Sequence, residues 1–307
     1  MKQDVLLQMT DICKEFPGVK ALDHVSLTVK AGTVHALMGE NGAGKSTIMN
    51  IMCGVLKQTE GDIYIKGINT RIDPVEAKCH IGFLPQQPPL HPDLTVEEYL
   101  DYSARLRYIP HKEIPAAITE VVEKCGISHF RRRLIRNLSG GYQQRVGIAQ
   151  AIIHNPDFII LDEPTNGLDP NQIVEIRNLI KQIAQERTVI LSTHILPEVQ
   201  ATCEYIYMVE KGKMVFSGTV DEFDNYILPT TIRVTLLAHP TVEELTMIPG
   251  LVAAQHLGEM DYRLQFADAR NMVDEIIETC GIHNWRLSQI YMEKSSLDVV
   301  FAELSKK

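Results

Sequence analysis

The sequence lacks any run of about 18 consecutive apolar residues, the length that a membrane-spanning helix needs. It also lacks excess positive charge, since 30 basic and 39 acidic residues give a net charge of −9. That balance argues against a nucleic-acid partner, which requires clustered Lys and Arg, but it leaves nucleotide binding open. The six cysteines form no close pair and no metal-ligand spacing. With a poor secretory signal at the amino terminus, they predict reduced thiols in a cytoplasmic chain.

The 307 residues suffice for about two domains of ordinary size. Apolar strands alternate with segments of helical periodicity as far as residue 210, which predicts a parallel sheet covered on both faces. The predicted strands are 5–10, 24–29, 34–39, 158–161, 188–193 and 205–210, with helical spacing at 46–55 and between 95 and 153. The pattern changes near 225–230. After it the order βαββαβ, with a final helix at 296–307, suggests a ferredoxin-like unit.

One motif is complete over eight residues. The pattern G-x-x-x-x-G-K-[ST] is matched by Gly39, Glu40, Asn41, Gly42, Ala43, Gly44, Lys45 and Ser46. Its glycines let successive backbone N–H groups approach phosphate oxygens, and the helix that follows adds its positive end. Lys45 would meet the β- and γ-phosphates, and the Ser46 hydroxyl would hold Mg²⁺. We include the next residue, Thr47, in this predicted phosphate site; a purely structural glycine turn is the alternative.

A second acidic element is needed to hold the metal. The buried strand 158–161 delivers Asp162 and Glu163 at its carboxyl end, where α/β sheets bind ligands. Asp162 is placed to complete the magnesium shell, and Glu163 to polarise an attacking water. Taken alone, such an acidic pair could equally be a structural cap. The phosphate motif upstream favours the catalytic interpretation.

The octet 138–145, LSGGYQQR, restricts the class further. Ser139 is a good helix N-cap, and Gly140 and Gly141 leave backbone N–H groups uncovered, which makes a second anion site. The octet closely resembles the signature of ATP-binding cassette (ABC) ATPases. The resemblance implies that Ser139, Gly140, Gly141 and Gln143 bind the γ-phosphate of ATP held by another subunit. Two copies would then enclose two nucleotides.

Four further residues match landmarks of that family. Phe16 resembles the aromatic residue that stacks on adenine, although a core phenylalanine is the simpler alternative. Gln86, next to Gln87, matches the glutamine that senses the metal and the attacking water. Asp169 looks like part of the loop that joins the two active sites. His194 matches the switch histidine at the γ-phosphate; its alternative is a histidine with a structural partner.

The resemblance covers residues 5–225 and implies an α/β P-loop NTPase, with a RecA-like core, an antiparallel β subdomain and a helical subdomain at about 88–150. We therefore predict an ATPase domain at 1–228 and a small α+β domain at 229–307. The implied cofactors are ATP and Mg²⁺. Glu163, His194 and Gln86 are the implied catalytic residues, and Ser46, Gln86 and Asp162 the metal ligands.

The family further implies a homodimer that drives a separate membrane permease from the inner face of the cell membrane. The tail resembles ATPases of type-two ABC exporters, as does the sequence from IGFLPQQ onward. The earlier stretches FPGVKALDHVSLTV and HALMGENGAGKST are more similar to ATPases of sugar importers. We expect export. An importer-type cassette, or a soluble ABC-type ATPase without a membrane partner, are the alternatives.

Overall fold

Strands and helices alternate along most of the chain in a computed structural model, which describes residues 5–226, 231–266 and 271–293. The chain forms two compact units, Met1–Val220 and Asp221–Lys307, here called the first and second units. The predicted boundary after residue 228 stays a prediction, and the helix predicted at 296–307 lies outside the described residues.

The strands of the first unit are β1 (Val5–Phe16), β2 (Val19–Lys30), β3 (Val34–Met38), β4 (Glu60–Ile65), β5 (Ile68–Asn69), β6 (Ile81–Leu84), β7 (Phe158–Leu161), β8 (Thr188–Thr193), β9 (Tyr205–Glu210) and β10 (Lys213–Thr219). Its helices are α1 (Lys45–Met52), α2 (Pro74–Cys79), α3 (Val96–Leu106), α4 (Ile114–Lys124), α5 (Gly140–Ile152), α6 (Pro170–Ala184) and α7 (Leu196–Thr202), and α8 (Val220–Tyr226) begins at the unit boundary. No helix of the described ranges is both long and apolar enough to cross a membrane.

Strands β3, β8 and β7 are buried along their whole length. Their sequences VHALM, TVILST and FIIL are mostly apolar or β-branched, as expected for parallel strands covered on both faces. They are neighbours in a six-stranded sheet of order β10-β9-β3-β8-β7-β6, parallel throughout except for the β9–β10 pair. The carboxyl ends of these three strands therefore meet at one edge, and the candidate site residues follow there.

A second, antiparallel sheet of order β2-β1-β4-β5 packs its apolar side chains with α1 and the central sheet in one core cluster. The strands predicted at 5–10 and 24–29 were too short, because β1 and β2 each extend over twelve residues. Asp11 and His24 adopt left-handed backbone conformations, with φ of +50° and +51°, where the strand pairing shifts register. Such bulges interrupt the alternation of apolar and polar residues on which the prediction rested.

The helical segment between 95 and 153 is confirmed as α3, α4 and α5. Helix α3 begins with a capping box, in which the Thr95 hydroxyl and the Glu98 carboxylate satisfy each other's backbone N–H groups. Together with the central and antiparallel sheets, these helices complete the predicted three-part ATPase architecture.

The second unit contains β11 (Thr231–Leu236), α9 (Val242–Leu245), β12 (Leu251–Gly258), β13 (Asp261–Phe266), α10 (Met272–Ile282) and β14 (Leu287–Met292). Its sheet has the order β12-β13-β11-β14, with all neighbours antiparallel. This confirms the predicted βαββαβ order and the ferredoxin-like topology. Alternate residues of β11 and β13 pack with both helices in a separate core that includes Trp285.

His35 on β3 is a buried titratable group in the core of the first unit. Its ring stacks on Tyr205 and Tyr207, with centroids 5.0 and 5.6 Å away. The Thr33 hydroxyl donates to the Lys30 carbonyl, so it accepts from Nε2–H of His35 at 2.6 Å. Nδ1 is left without a partner among the described residues. Burial is the main reason that the pKa of His35 falls from 6.5 to about 4.

Acidification should therefore destabilise the first unit through His35. Between pH 6.5 and about 4 the unfolded state binds the extra proton, so stability falls as the pH drops through this window. His35→Phe keeps a ring of similar size and removes the titration. We expect its melting temperature, followed by circular dichroism, to fall less steeply with pH than that of the wild type. His111→Gln, at an exposed histidine, should keep the wild-type slope, and equal slopes in all three proteins would contradict the assignment.

Candidate nucleotide-binding site

The loop between β3 and α1 has the backbone geometry of a phosphate cradle. Gly42 and Gly44 have φ of +85° and +111°, a region that favours glycine. A Cβ on Gly44 would also lie 2.9 Å from Cδ2 of Leu22. Both the backbone conformation and the close contact therefore disfavour a side chain at this position. Gly44 occupies the N-cap position of α1 and offers no side chain to its first turn. The opening N–H groups of the helix are therefore available to an anion.

The ammonium group of Lys45 lies inside this loop. Its Nζ donates to the carbonyl oxygens of Gly39 at 2.6 Å and Glu40 at 3.2 Å, and it is 3.9 Å from Oε1 of Glu163. The side chain is only 6% exposed. Burial lowers the pKa of Lys45, while the nearby carboxylates of Glu163 and Asp162 act in the opposite direction. A positive charge is thus held where phosphate oxygens would arrive.

A cavity of about 630 Å³, here called the phosphate pocket, opens over this loop. The predicted residues that line it are Glu40, Asn41, Gly42, Gly44, Lys45, Ser46, Thr47, Gln86 and Glu163. Five lining residues were not predicted from the sequence: Val19, Lys20, Ala21, Lys211 and Gly212. The last two form the β9–β10 turn, for which the glycine flanked by lysines was the available signal.

Phe16 ends β1 and pairs with Val19 at the start of β2, which lines the phosphate pocket. Its own ring is 42% exposed and lies under the Lys14 ammonium, 4.8 Å from the ring centre. The ring does not line the pocket in the described structure. Its role in adenine stacking stays a prediction.

Ser192 on β8 organises the two acidic residues after β7. Its hydroxyl donates to Oδ1 of Asp162 at 2.5 Å and accepts the backbone N–H of Glu163 at 2.8 Å. Glu163 has a φ of +48°, which is uncommon for a residue with a side chain. The chain therefore turns sharply after Asp162, so the two carboxylates take different directions. The role of this serine could not be predicted from the sequence, because within TVILST it is simply one more strand residue.

The carboxylate of Glu163 meets two cationic or polar groups. Nδ1 of His194 lies 3.2 Å from Oε2 and 3.3 Å from Oε1, and Nζ of Lys45 lies 3.9 Å from Oε1. The Glu163 side chain is 9% exposed, whereas that of His194 is 52% exposed. A buried carboxylate beside an accessible imidazole can accept a proton from a water and keep hydrogen-bonding contact with the histidine.

The oxygen donors predicted for Mg²⁺ are chemically suitable. Ser46 offers a hydroxyl, Gln86 an amide oxygen and Asp162 a carboxylate, all hard oxygen ligands of the kind that Mg²⁺ prefers. Asp162 is 4% exposed. Oδ1 of Asp162 accepts the Ser192 hydroxyl, and Oδ2 is the second carboxylate oxygen that could bind a cation.

A different group of metal-ligand atoms arises from the β1–β2 hairpin. Atoms of Cys13, Asp23 and His24 lie within 4.8 Å of one another, although ten residues separate the cysteine from the aspartate in sequence. Lys20 bonds one Asp23 oxygen, and Lys213 is 3.3 Å from the other. These lysines already lower the pKa of Asp23 and satisfy its charge. We assign no metal to this group.

Ser139 occupies the N-cap position of α5, as predicted, but its side chain makes no capping hydrogen bond. The amide of Gln143 is engaged locally, because Nε2 donates to the carbonyls of Ile135 and Leu138. Gly141 is buried, and a Cβ on it would lie 2.7 Å from Cδ of Gln172. Within the described chain, neither these three residues nor Gly140 line the phosphate pocket.

Asp169 has a structural role that was not predicted. Its Oδ1 accepts the backbone N–H groups of Asn171 and Gln172, and the residue thereby caps the amino terminus of α6. Asp169 does not line the phosphate pocket of the described chain either. Its predicted part in joining two active sites stays a prediction.

Comparison with known proteins defines the class to which this geometry belongs. A family model described as ABC transporter matches residues 22–166. A dimeric structure of an ATP-binding cassette bound to ADP and Pi, in a post-hydrolysis state, superposes with a TM-score of 0.63 at 30% identity. The match covers 70% of this chain and 99% of that one. The class is therefore the P-loop ATPase of cassette type.

Three curated relatives specify the family. The bacitracin transport ATP-binding protein BcrA of Bacillus licheniformis is 38% identical over 68% of this chain and 68% of its own length. The linearmycin resistance ATP-binding protein LnrL of Bacillus subtilis is 28% identical over 98% of both chains. The nucleoside import ATP-binding protein NupA of Lactococcus lactis is 37% identical over 70% of this chain and 44% of its own. This chain belongs to the ATP-binding proteins of ABC transporters: it is the ATPase subunit of such a system and binds ATP.

Replacing the buried cation should weaken nucleotide binding. Lys45→Ala removes the ammonium group that faces the phosphates, and we expect the dissociation constant for ATP to rise by about tenfold or more. Titration with a fluorescent ATP analogue measures the change. Lys57→Ala, at an exposed lysine outside the phosphate pocket, is the control. Unchanged ATP affinity in Lys45→Ala would contradict the assigned role of the loop.

Proposed function

We propose that two copies of this chain enclose two ATP molecules with Mg²⁺, hydrolyse them, and drive export through a separate membrane permease. The observation that carries the proposal is the position of the Glu163 carboxylate. It lies 3.9 Å from Nζ of Lys45 and 3.2 Å from Nδ1 of His194, at the buried end of the phosphate pocket. A general base, a phosphate-binding cation and a polarising imidazole are thereby brought together.

Each of these side chains has a distinct task in hydrolysis. Lys45 and the N–H groups of the loop stabilise the negative charge of the phosphates. Glu163 accepts a proton from the attacking water, and His194 holds the γ-phosphate in line with that water. Ser46, Gln86 and Asp162 hold Mg²⁺, which when bound supplies positive charge to the phosphate oxygens. The low exposure of Glu163 limits competing solvent around the base.

The dimer completes the site. The start of α5 has uncovered N–H groups and an N-cap serine whose hydroxyl is not used within its own helix. Those groups are suited to phosphate, yet they do not line the phosphate pocket of the same chain. A second copy, related by a twofold axis, would bring Ser139 and Gly141 to the γ-phosphate held by the first. The family likeness to a dimeric, nucleotide-bound cassette supports this arrangement.

A groove beside β6 is suited to the permease. It has a volume of about 450 Å³ and lies among α1, α2, the end of α3 and β6, the strand that leads to Gln86. Large apolar side chains at its rim are solvent-exposed, namely Val55, Val75, Leu106 and Tyr108. Exposed apolar surface around a groove is typical of a protein interface. A cytoplasmic helix of the permease is the proposed occupant, which places the chain at the inner face of the cell membrane.

We infer the direction of transport from the names of three relatives and from the share of each that is matched. LnrL, named for linearmycin resistance, covers both units of this chain, and BcrA is named for bacitracin transport. NupA, named for nucleoside import, is matched over 44% of its length. The second unit of this chain is thus matched by LnrL, a relative named for resistance to linearmycin. An importer-type cassette is the remaining alternative, and a periplasmic or surface substrate-binding protein encoded beside this chain would favour it.

Removing the base while keeping its size should trap the dimer. In Glu163→Gln the amide cannot accept the proton, so we expect ATP binding to persist and turnover to fall by about a hundredfold or more. With Mg²⁺ and ATP, light scattering coupled to size exclusion should detect a stable two-chain complex. Glu120→Gln, at an exposed carboxylate, should behave like the wild type. Turnover close to the wild-type rate, or no dimer, would overturn the proposal.

A bulky residue at the start of α5 should separate binding from hydrolysis. In Gly141→Leu the new side chain collides with Gln172 of the same chain and must displace the start of α5, so we expect normal ATP binding and lost turnover. A mixture with Lys45→Ala should recover part of the wild-type turnover, because a hybrid dimer contains one intact composite site. Gly281→Leu, at an exposed glycine with open space around it, is the control. Full recovery, or none, would contradict sites shared between two chains.

A further inference from the structure

Helix α7 carries a buried carboxylate that the proposed mechanism does not use. Glu198 is 7% exposed and lies outside the phosphate pocket. It occupies the first turn of a short helix, where an exposed acidic residue would be ordinary. Burial of a carboxylate is costly unless donors satisfy it, so its partners indicate what it holds in place.

Both threonine hydroxyls near the catalytic pair donate to one oxygen of Glu198. Oε2 accepts from Oγ1 of Thr165 at 3.0 Å and from Oγ1 of Thr193 at 3.2 Å. Thr165 follows Glu163 by two residues, and Thr193 directly precedes His194. A single atom therefore joins the segment that carries the base to the segment that carries the histidine.

The connection is tight on the histidine side. While Oγ1 of Thr193 donates to Glu198, it also accepts the backbone N–H of Ile195 at 3.1 Å. Because Ile195 directly follows His194, the hydroxyl of the residue before the histidine holds the backbone N–H of the residue after it. Nδ1 of His194 lies 3.2 Å from Oε2 of Glu163. This distance depends on the relative position of the segment that carries Glu163 and the segment that carries His194.

The other oxygen of Glu198 faces α6. Oε1 lies 3.9 Å from Nη2 of Arg177, in a helix whose amino terminus is capped by Asp169. Nε of Arg177 has no hydrogen-bond partner among the described residues. The contact of Nη2 with Glu198 is an ion pair of the same guanidinium group. A displacement of α6 at its Asp169 end would therefore also displace Arg177, the residue of this helix that contacts Glu198.

We propose that Glu198 is a positioning residue for ATP hydrolysis, which fixes the distance between Glu163 and His194 through the hydroxyls of Thr165 and Thr193. This inference rests on the proposed function of that pair. A misplacement of reacting groups by about 1 Å can cost a hundredfold in rate. Loss of the shared acceptor therefore lowers kcat, while nucleotide affinity, set by the loop around Lys45, is unchanged.

The test compares variants that remove the acceptor with variants that remove each donor. Glu198→Leu should lower kcat by about tenfold or more and leave KM for ATP within about twofold. Thr165→Val and Thr193→Val should each lower kcat, whereas Thr165→Ser and Thr193→Ser, which keep the hydroxyl, should restore it. In the Glu198→Leu background, both valine changes should have no further effect, because the two hydroxyls share one acceptor.

Glu175→Gln is the matched control. Glu175 lies on α6, the helix that carries Arg177. Its exposed carboxylate pairs with Arg145 at 2.8 Å. Its loss should leave kcat unchanged, which separates positioning from general loss of an ion pair. If Glu198→Leu fails to fold, the valine and serine variants carry the test by themselves. Wild-type kcat in the valine variants, or a rise in KM equal to the fall in kcat, would overturn the inference.

The proposed function and this inference fail in different ways. The Glu163→Gln, Glu198→Leu double variant should still form the two-chain complex with Mg²⁺ and ATP, because dimer closure does not depend on the rate of hydrolysis. A dimer with unaltered kcat in Glu198→Leu would overturn the positioning role alone. Absence of a dimer in Glu163→Gln itself would overturn the proposed function.

Discussion

The arrangement of the site depends on one bridging hydroxyl between neighbouring strands. Ser192 on β8 bonds the Asp162 side chain and the Glu163 backbone at the end of β7. This contact stabilises a left-handed backbone at Glu163, which directs two consecutive carboxylates into different surroundings. The carboxylate of Asp162 bonds Ser192, and that of Glu163 faces Lys45 and His194.

Much of this site could be predicted from local sequence. The glycine spacing of residues 39–46 specifies a backbone geometry by itself, and four buried apolar residues place Asp162 at a strand end. The contacts of Ser192 and Glu198 could not be predicted. Both depend on which strands and helices become neighbours, and a serine within TVILST or a glutamate in LPEVQAT has no distinctive spacing. The Lys211–Gly212 turn was missed for the same reason, since antiparallel pairing of β9 and β10 brings it to the pocket.

The length of β1 and β2 shows a different limit of prediction from sequence, which concerns where a strand ends. Alternation of apolar and polar residues detects strands, but Asp11 and His24 sit at bulges that break the alternation without ending the strand. In the second unit the β11–β13 pair keeps one register throughout, and the order of elements there was predicted correctly. The octet 138–145 shows a third limit: its residues resemble a family motif, yet within the described chain Ser139, Gly140, Gly141 and Gln143 do not line the phosphate pocket.

The burial of the cysteines has a practical consequence for the groove beside β6. Cys13, Cys53, Cys125, Cys203 and Cys280 are buried, whereas Cys79, at the end of α2, is exposed and lines that groove. Burial also raises the pKa of Cys53, Cys125, Cys203 and Cys280, which suppresses their thiolate form. A maleimide dye added to the unmodified chain should therefore attach at Cys79, and shielding of that one sulfur would give a stoichiometric optical signal of what occupies the groove.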